Sequence, residues 1–187
     1  MKNQLLIIVL TLSGFGLFAQ TQNINVEKST INWTGKKIGG QHQGFIKITE
    51  GSLELKKDKI ASGQFIINMT SITNTDLENE TYNQKLVGHL KSDDFFGVEA
   101  FPTAIFKVTK STKFADDKAT LTGEVTIKGM TETISFEVTK TENSYTGKME
   151  IDRSKFNVKY GSSSFFDSLG DKAIDDIFTL EIELFID

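Results

Sequence analysis

Apolar and polar residues alternate along most of this 187-residue chain. A period of two is the pattern of a β-strand that buries one face and exposes the other. In the last such stretch, residues 177–186, the even positions are Phe, Leu, Ile, Leu and Ile. The alternation predicts strands over residues 29–36, 44–50, 52–56, 60–69, 103–109, 119–128, 133–139, 145–151 and 177–186, which makes eight or nine.

Short polar turns separate several of these strands, as at Lys57-Asp58-Lys59 and at Gly129. The chain's one proline, Pro102, directly precedes a predicted strand, where a missing N–H does little harm. A meander of this kind leaves two sheet edges unpaired, and closure into a barrel removes both. The pattern therefore predicts an all-β fold, an antiparallel barrel of about eight strands, with room for one small ligand.

Residues 75–90 break the alternation and predict a helix. Thr75 and Glu78 have the capping-box spacing of a helix start. Such a helix would lie across one end of the barrel and cover its opening. Apolar residues recur every four positions along it, at Tyr82, Leu86 and Leu90.

The first nineteen residues have the order of a secretory signal peptide: a charged start at Lys2, an apolar run over 5–12, and a small residue at Ala19. The alternative, a transmembrane anchor, needs about 20 apolar residues, more than this run offers. We expect residues 1–19 to be removed and residues 20–187 to form the barrel domain. The mature protein would then be periplasmic or secreted, without a stable membrane anchor.

Charge and residue content argue against several function classes. The net charge is −4 and no basic stripe with interleaved aromatic residues occurs, so we expect no nucleic-acid partner. Without cysteine there is no disulfide, thiolate metal site or thiol nucleophile. Two histidines, His42 and His89, lie far apart in the sequence without a paired carboxylate spacing, which argues against a zinc site, and no Gly-x-Ser-x-Gly motif accompanies them. We predict no catalytic residue, metal or cofactor; the alternative is an enzyme in which His42 or His89 acts as a base.

Phenylalanine occurs fifteen times, including two doublets in the irregular segments, Phe95-Phe96 and Phe165-Phe166. In a loop doublet, one ring can enter the core while the other faces an opening. Simple core packing is the competing interpretation. The sequence leaves both open, and Phe166 is included among the candidate ligand contacts.

The run from His89 to Phe106 resembles the YceI-like family. Members commonly carry His-Leu-x-Ser-x-Asp-Phe-Phe-Asp, then Pro-Thr and a Phe in the next strand; here the run begins His-Leu-Lys-Ser-Asp-Asp-Phe-Phe-Gly. The chain departs from the family at Leu86 and Val87, where members often have Arg-Asp, and at Lys28, where many have His. Weaker matches cover nearly all of the remaining chain, at Ile72, Leu121-Thr122-Gly123, Ile127-Lys128-Gly129-Met130-Thr131, Asp152-Arg153 and Phe156.

The resemblance implies a lipocalin-like barrel with an elongated apolar cavity, in a secreted or periplasmic protein that binds polyisoprenoids or other long-chain lipids. Gly123 and Gly147 fall on inward faces and are expected to leave space there. The competing interpretation is a filled barrel that serves as a structural or interaction module, and a homodimer stays open. The predicted ligand contacts are Trp33, Phe65, Ile67, Phe106, Val125 and Phe136 on strands, Leu86 and Leu90 on the helix, and His42 and Phe166 in connecting segments.

Overall fold

A computed structural model describes residues 19–187. The predicted signal peptide, apart from Ala19, lies outside the described residues. Short 3-10 turns occur at Met69–Ser71, Arg153–Phe156 and Gly170–Lys172. The strands are β1 (Gln20–Asn23), β2 (Thr30–Lys37), β3 (Gly40–Leu55), β4 (Ile60–Asn68), β5 (Thr103–Ser111), β6 (Lys118–Ile127), β7 (Met130–Lys140), β8 (Ser144–Asp152) and β9 (Ile174–Phe185), with one helix, α1 (Glu80–Lys91), between β4 and β5.

Strands β2 to β9 form a closed antiparallel barrel. Neighbouring strands pair in the order β3-β2-β9-β8-β7-β6-β5-β4, and β4 returns to β3 to complete the ring. β1 is an extra strand on the last part of β3. The predicted all-β barrel of about eight strands with a short helix is confirmed. At twelve residues, α1 is too short to cross a bilayer, and the described residues hold no helix that could do so.

The predicted separate strands over 44–50 and 52–56 are one continuous strand, β3. A bulge lies between Ile48 and Glu50, where the register with β4 shifts by one residue. The extra residue exchanges the two faces, so Ile46 and Ile48 point inward before the bulge and Leu53 points inward after it. In the sequence, this change of phase looks the same as a break between two strands.

The helix begins at Glu80, so the predicted start at Thr75 is wrong. The Asn79 side chain caps it by accepting from the Tyr82 N–H at 3.2 Å. The preceding segment instead runs beside β3, where the N–H groups of Thr73 and Thr75 donate to carbonyl oxygens of β3. β4 reaches β3 only from Lys47 onward, so this segment satisfies the strand edge that β4 leaves unpaired.

The two ends of the barrel carry different connections. One end, here called the mouth end, carries the β2–β3 hairpin, the segment with α1, the β6–β7 turn and the long β8–β9 segment. The other, here called the closed end, carries the β3–β4, β5–β6 and β7–β8 turns. β7 and β8 pair over only three residues and diverge toward the mouth end. There the Arg153–Phe156 turn packs against β7, with Phe156 and Val158 fully buried.

Candidate ligand-binding cavity

An internal cavity of about 220 Å³ lies within the barrel. Its wall is built from the inward-facing alternate residues of the strands, almost all of them aliphatic or aromatic. Strand register places these side chains side by side on neighbouring strands: Trp33 is paired with Leu180, and Phe65 is paired with Phe106. The Phe65 and Phe106 ring centroids are 6.2 Å apart, and Phe136 is 5.8 Å from Phe106. The sequence therefore produces an apolar interior surface by alternation alone.

Exposure of the inward side chains shows where the empty space lies. On β8, the inward Met149 and Ile151 are fully buried. Their partners across the ladder, Leu180 and Phe178 on β9, are only half-buried although they too point inward. Trp33, on the next strand, is half-buried as well. An inward side chain keeps accessible surface only where no neighbour covers it, so β2 and β9 border open space.

Nine of the ten predicted ligand contacts line this cavity. Phe166 does not: its side chain is 49% exposed on the β8–β9 segment. The doublet Phe95-Phe96 lines the cavity instead, with Phe95 buried and Phe96 half-buried. That these residues contact a ligand stays a prediction. The nine are Trp33, His42, Phe65, Ile67, Leu86, Leu90, Phe106, Val125 and Phe136.

The expected space at Gly123 and Gly147 is absent. A Cβ atom at Gly123 would lie 2.5 Å from Cζ of Phe106, and one at Gly147 would lie 2.9 Å from Cε2 of Phe136. At each glycine a neighbouring aromatic ring lies against the strand and occupies the space that a side chain would take. Open space occurs at Gly35, which lines the cavity and has no atom within 4 Å of an added Cβ.

A polar latch holds the α1 segment to β3 at the mouth end. Nδ1 of His42 lies 2.8 Å from Oδ2 of Asp76, and the Gln43 N–H donates to Asp76 Oδ1 at 2.8 Å. Burial would raise the pKa of Asp76, but hydrogen bonds from Gln43, His42 and Asn74 outweigh it and bring the pKa below its usual value. Asp76 is therefore an ionised anchor at neutral pH, and nothing in the sequence pairs it with His42.

Trp33 makes a second hydrogen bond to the segment that precedes α1. Its indole Nε1–H donates to the Thr73 carbonyl oxygen at 3.0 Å. That carbonyl lies directly over Gly44, where any Cβ would collide with it. Glycine at position 44 therefore permits the close approach of the α1 segment to β3.

Neither histidine is assembled into a recognisable catalytic group. The carboxylate of Asp76 would orient His42 as a base, but among residues 19–187 no hydroxyl group hydrogen-bonds to its ring. His89 packs edge-on against Tyr160, with ring centroids 4.3 Å apart, and against Phe95. The described residues hold no group of three or more His, Asp or Glu side chains placed to bind a metal. The absence of catalysis and of a metal stays a prediction.

Arg153 clamps the β8–β9 segment beside the cavity. The side chain is 2% exposed, and its guanidinium donates to four backbone carbonyl oxygens, those of Val158, Tyr160, Ile174 and Asp175, at 2.9 to 3.0 Å. The guanidinium carbon lies 5.4 Å from the centre of the Phe95 ring, which ties the segment to the residues that follow α1.

The charge of Arg153 is matched by Asp176. Nη2 of Arg153 lies 3.3 Å from Oδ1 of Asp176. Burial would raise the pKa of Asp176, but hydrogen bonds from Ser162 and Ser164 and the positive charge of Arg153 bring it below its usual value. The pair is therefore ionised at neutral pH and fixes the start of β9 against the end of β8.

Comparison with known proteins gives the same architecture. The family model for the YceI-like domain matches residues 22–186. The crystal structure of BcnA from Burkholderia cenocepacia is 26% identical over 86% of this chain and 98% of that chain, with a TM-score of 0.67. A polyisoprenoid binding domain from Saccharophagus degradans, implicated in plant cell wall breakdown, is 12% identical over 89% of this chain and 97% of that chain, with a TM-score of 0.61. A search of curated proteins found no match.

Proposed function

Since the chain belongs to the YceI-like domain family, we propose that it is a periplasmic or secreted binding protein for a long-chain apolar molecule, a polyisoprenoid or similar lipid. It holds the ligand in the barrel by sequestration, without chemical conversion. The leader-like residues 1–19 support export. The lipid-binding assignment draws support from the family and from the polyisoprenoid binding domain that shares the fold.

The observation that carries this proposal is the apolar cavity wall with half-buried side chains around an open space. Each Å² of apolar surface removed from water contributes about 25 cal/mol, so a hydrocarbon chain needs no charged anchor to bind. The volume of about 220 Å³ is below the roughly 300–1,000 Å³ of most ligand pockets. A long chain therefore displaces half-buried residues such as Leu86, or extends out through the mouth end.

The test titrates the purified protein with geranylgeraniol and follows the fluorescence of Trp33, the chain's one tryptophan, which lines the cavity. We expect saturation at one ligand per protein molecule. Gly35→Leu places a side chain in the open space and should weaken binding about tenfold or more.

Gly88→Leu is the matched control, because an added side chain there also meets no atom within 4 Å but lies on α1 outside the cavity wall. It should bind as the wild type does. Equal affinity of the wild type and Gly35→Leu would contradict binding in this cavity. His42→Ala removes one contact from a mostly apolar wall and should leave bound lipid largely in place, with a smaller loss than Gly35→Leu. Accumulation of an unprocessed lipid in the His42→Ala variant would favour the enzyme.

A further inference from the structure

Large hydrophobic side chains that remain exposed are distributed unevenly over the barrel. Phe45 lies on the barrel wall, and the other eight lie on mouth-end connections or within four residues of that end. Among residues 19–187, the closed end carries none of them. An apolar surface concentrated on one side marks an interaction site. The eight are Ile38, Tyr82, Phe101, Met130, Tyr160, Phe165, Phe166 and Ile177.

Four of these side chains, here called the mouth patch, belong to two connections that touch. They are Ile38 at the tip of the β2–β3 hairpin, and Tyr160, Phe165 and Phe166 in the β8–β9 segment, each between 40% and 55% exposed. The Ile38 N–H donates to the Ala173 carbonyl oxygen at 3.4 Å, which joins the hairpin to the segment. The mouth patch therefore lies on two joined connections at the mouth end, where the neighbouring Lys36, Lys37 and Asp175 line the cavity.

The charge around the mouth patch differs from that of the whole chain. The chain carries a net charge of −4, yet residues 36–49, which start at the mouth end, contain three lysines and no Asp or Glu. Lys36 and Lys37 directly precede Ile38 and are exposed. In the β8–β9 segment, Lys159 lies over the Phe165 ring at 5.2 Å. The exposed acidic residues of that segment are Asp167 and Asp171, with Lys172 beside them, and Asp175 follows at the start of β9.

We propose that the mouth patch docks reversibly on the surface of an anionic lipid bilayer. Lys36 and Lys37 contact lipid headgroups, and the rings of the β8–β9 segment enter the interfacial layer, where aromatic side chains are favoured. Docking by this face presents the cavity opening to the bilayer, so the ligand passes between membrane and barrel without crossing water. This transfer role rests on the proposed function, whereas docking itself is measured independently of it.

The experiment is co-sedimentation of the protein, purified from the cell that produces it, with vesicles of phosphatidylcholine with or without phosphatidylglycerol. We expect binding that is stronger with phosphatidylglycerol. Lys36→Gln with Lys37→Gln should weaken it about thirtyfold, roughly fivefold for each lysine. Phe165→Ser with Phe166→Ser should weaken it about tenfold or more on both kinds of vesicle.

Matched controls come from elsewhere on the barrel. Lys56→Gln with Lys59→Gln removes two exposed lysines from the β3–β4 turn at the closed end, and Phe45→Ser removes an exposed ring from the wall. Both should bind vesicles as the wild type does. Docking is overturned if the wild type does not sediment, if the controls lose as much binding as the patch variants, or if light scattering shows a dimer that the Phe165→Ser, Phe166→Ser variant dissociates.

The geranylgeraniol titration separates the two proposals. If the protein binds geranylgeraniol but not vesicles, the proposed function stands and the docking proposal is wrong. If it binds vesicles through the mouth patch but takes up no geranylgeraniol, the docking proposal stands and the proposed function is wrong.

Discussion

Around the β3–β4 turn the inward side chains cover one another, whereas along β2 and β9 the same kinds of residue border a space. Leu53 and Ile60, near the β3–β4 turn, are each 1% exposed. Phe178 and Leu180 also point inward, from the middle of β9, but they are only half-buried. An apolar strand face thus packs the core in one region and borders open space in another, according to whether neighbouring side chains cover it.

The two ends also hold their connections by different means. Tight turns of a few residues close the closed end, where the residues that follow pack directly into the core. The long segments of the mouth end bury a few apolar residues, such as Phe156 and Val158, and are also held by polar groups, chiefly Arg153 with Asp176 and His42 with Asp76. These hydrogen bonds fix the segments at the rim of the cavity without placing further side chains inside it.

Removing the Arg153 clamp should have the largest effect. Arg153→Ala leaves Asp176 and four carbonyl groups without their partner, and we expect a loss of about 3–5 kcal/mol in the free energy of unfolding. Urea denaturation measures it. The control is Lys118→Ala, which breaks an ion pair with Glu137 whose side chains are 56% and 60% exposed. It should cost less than about 1 kcal/mol; equal losses would show that the mouth end does not depend on the clamp.

A truncation in the closed-end core should come next. Leu53→Ala creates a cavity among buried neighbours, and we expect a loss of about 2–5 kcal/mol in the free energy of unfolding. Leu86→Ala, on the half-buried wall of the cavity, removes the same atoms from a site that is already open. Its cost should be well below that of Leu53→Ala in the same urea titration. Similar costs would mean that the interior is packed equally around Leu53 and around Leu86.

Substitution of two glycines by leucine compares a filled site with an open one. Gly123→Leu meets the Phe106 ring and the Lys107 carbonyl and should cost about 1–3 kcal/mol. Gly35→Leu, which enters open space, should change the free energy of unfolding by less than about 0.5 kcal/mol. Thermal denaturation of the two variants gives the comparison. A large loss for Gly35→Leu would show that the space at the mouth end is filled.

Acid should act on the mouth end first. Asp176 and Asp76 have folded-state pKa values below their ordinary value of 3.8, so their ionised forms favour the folded state. Their contribution is fully present above pH 3.8 and is lost as pH falls through the lower folded-state values. We expect hydrogen exchange in the β8–β9 segment to accelerate in acid before exchange in β6 does. Asp176→Asn should reduce that difference, and simultaneous acceleration in both regions would contradict it.

The barrel could be predicted from the sequence because each strand has an apolar inward face and a more polar outward face. Neighbouring residues of the sequence are enough to show that alternation. The bulge in β3 was missed because a phase change between Ile48 and Leu53 has the same appearance as a strand break. The partners of His42 and Arg153 are 34 and 23 positions away, and no local pattern joins them. The prediction of empty space at Gly123 was wrong for a related reason. The ring of Phe106, on the neighbouring strand, occupies that space, and the sequence does not show which strands are neighbours.

Mass spectrometry of an organic extract of the protein, purified from its own cell without detergent, tests the central claim most directly. If the mouth-end space is a lipid site, the extract should contain a long-chain apolar lipid at close to one molecule per protein. The Gly35→Leu variant, folded and prepared in the same way, should carry much less. A wild-type extract without lipid, together with an unchanged free energy of unfolding in Gly35→Leu, would contradict the claim and leave the cavity without a ligand.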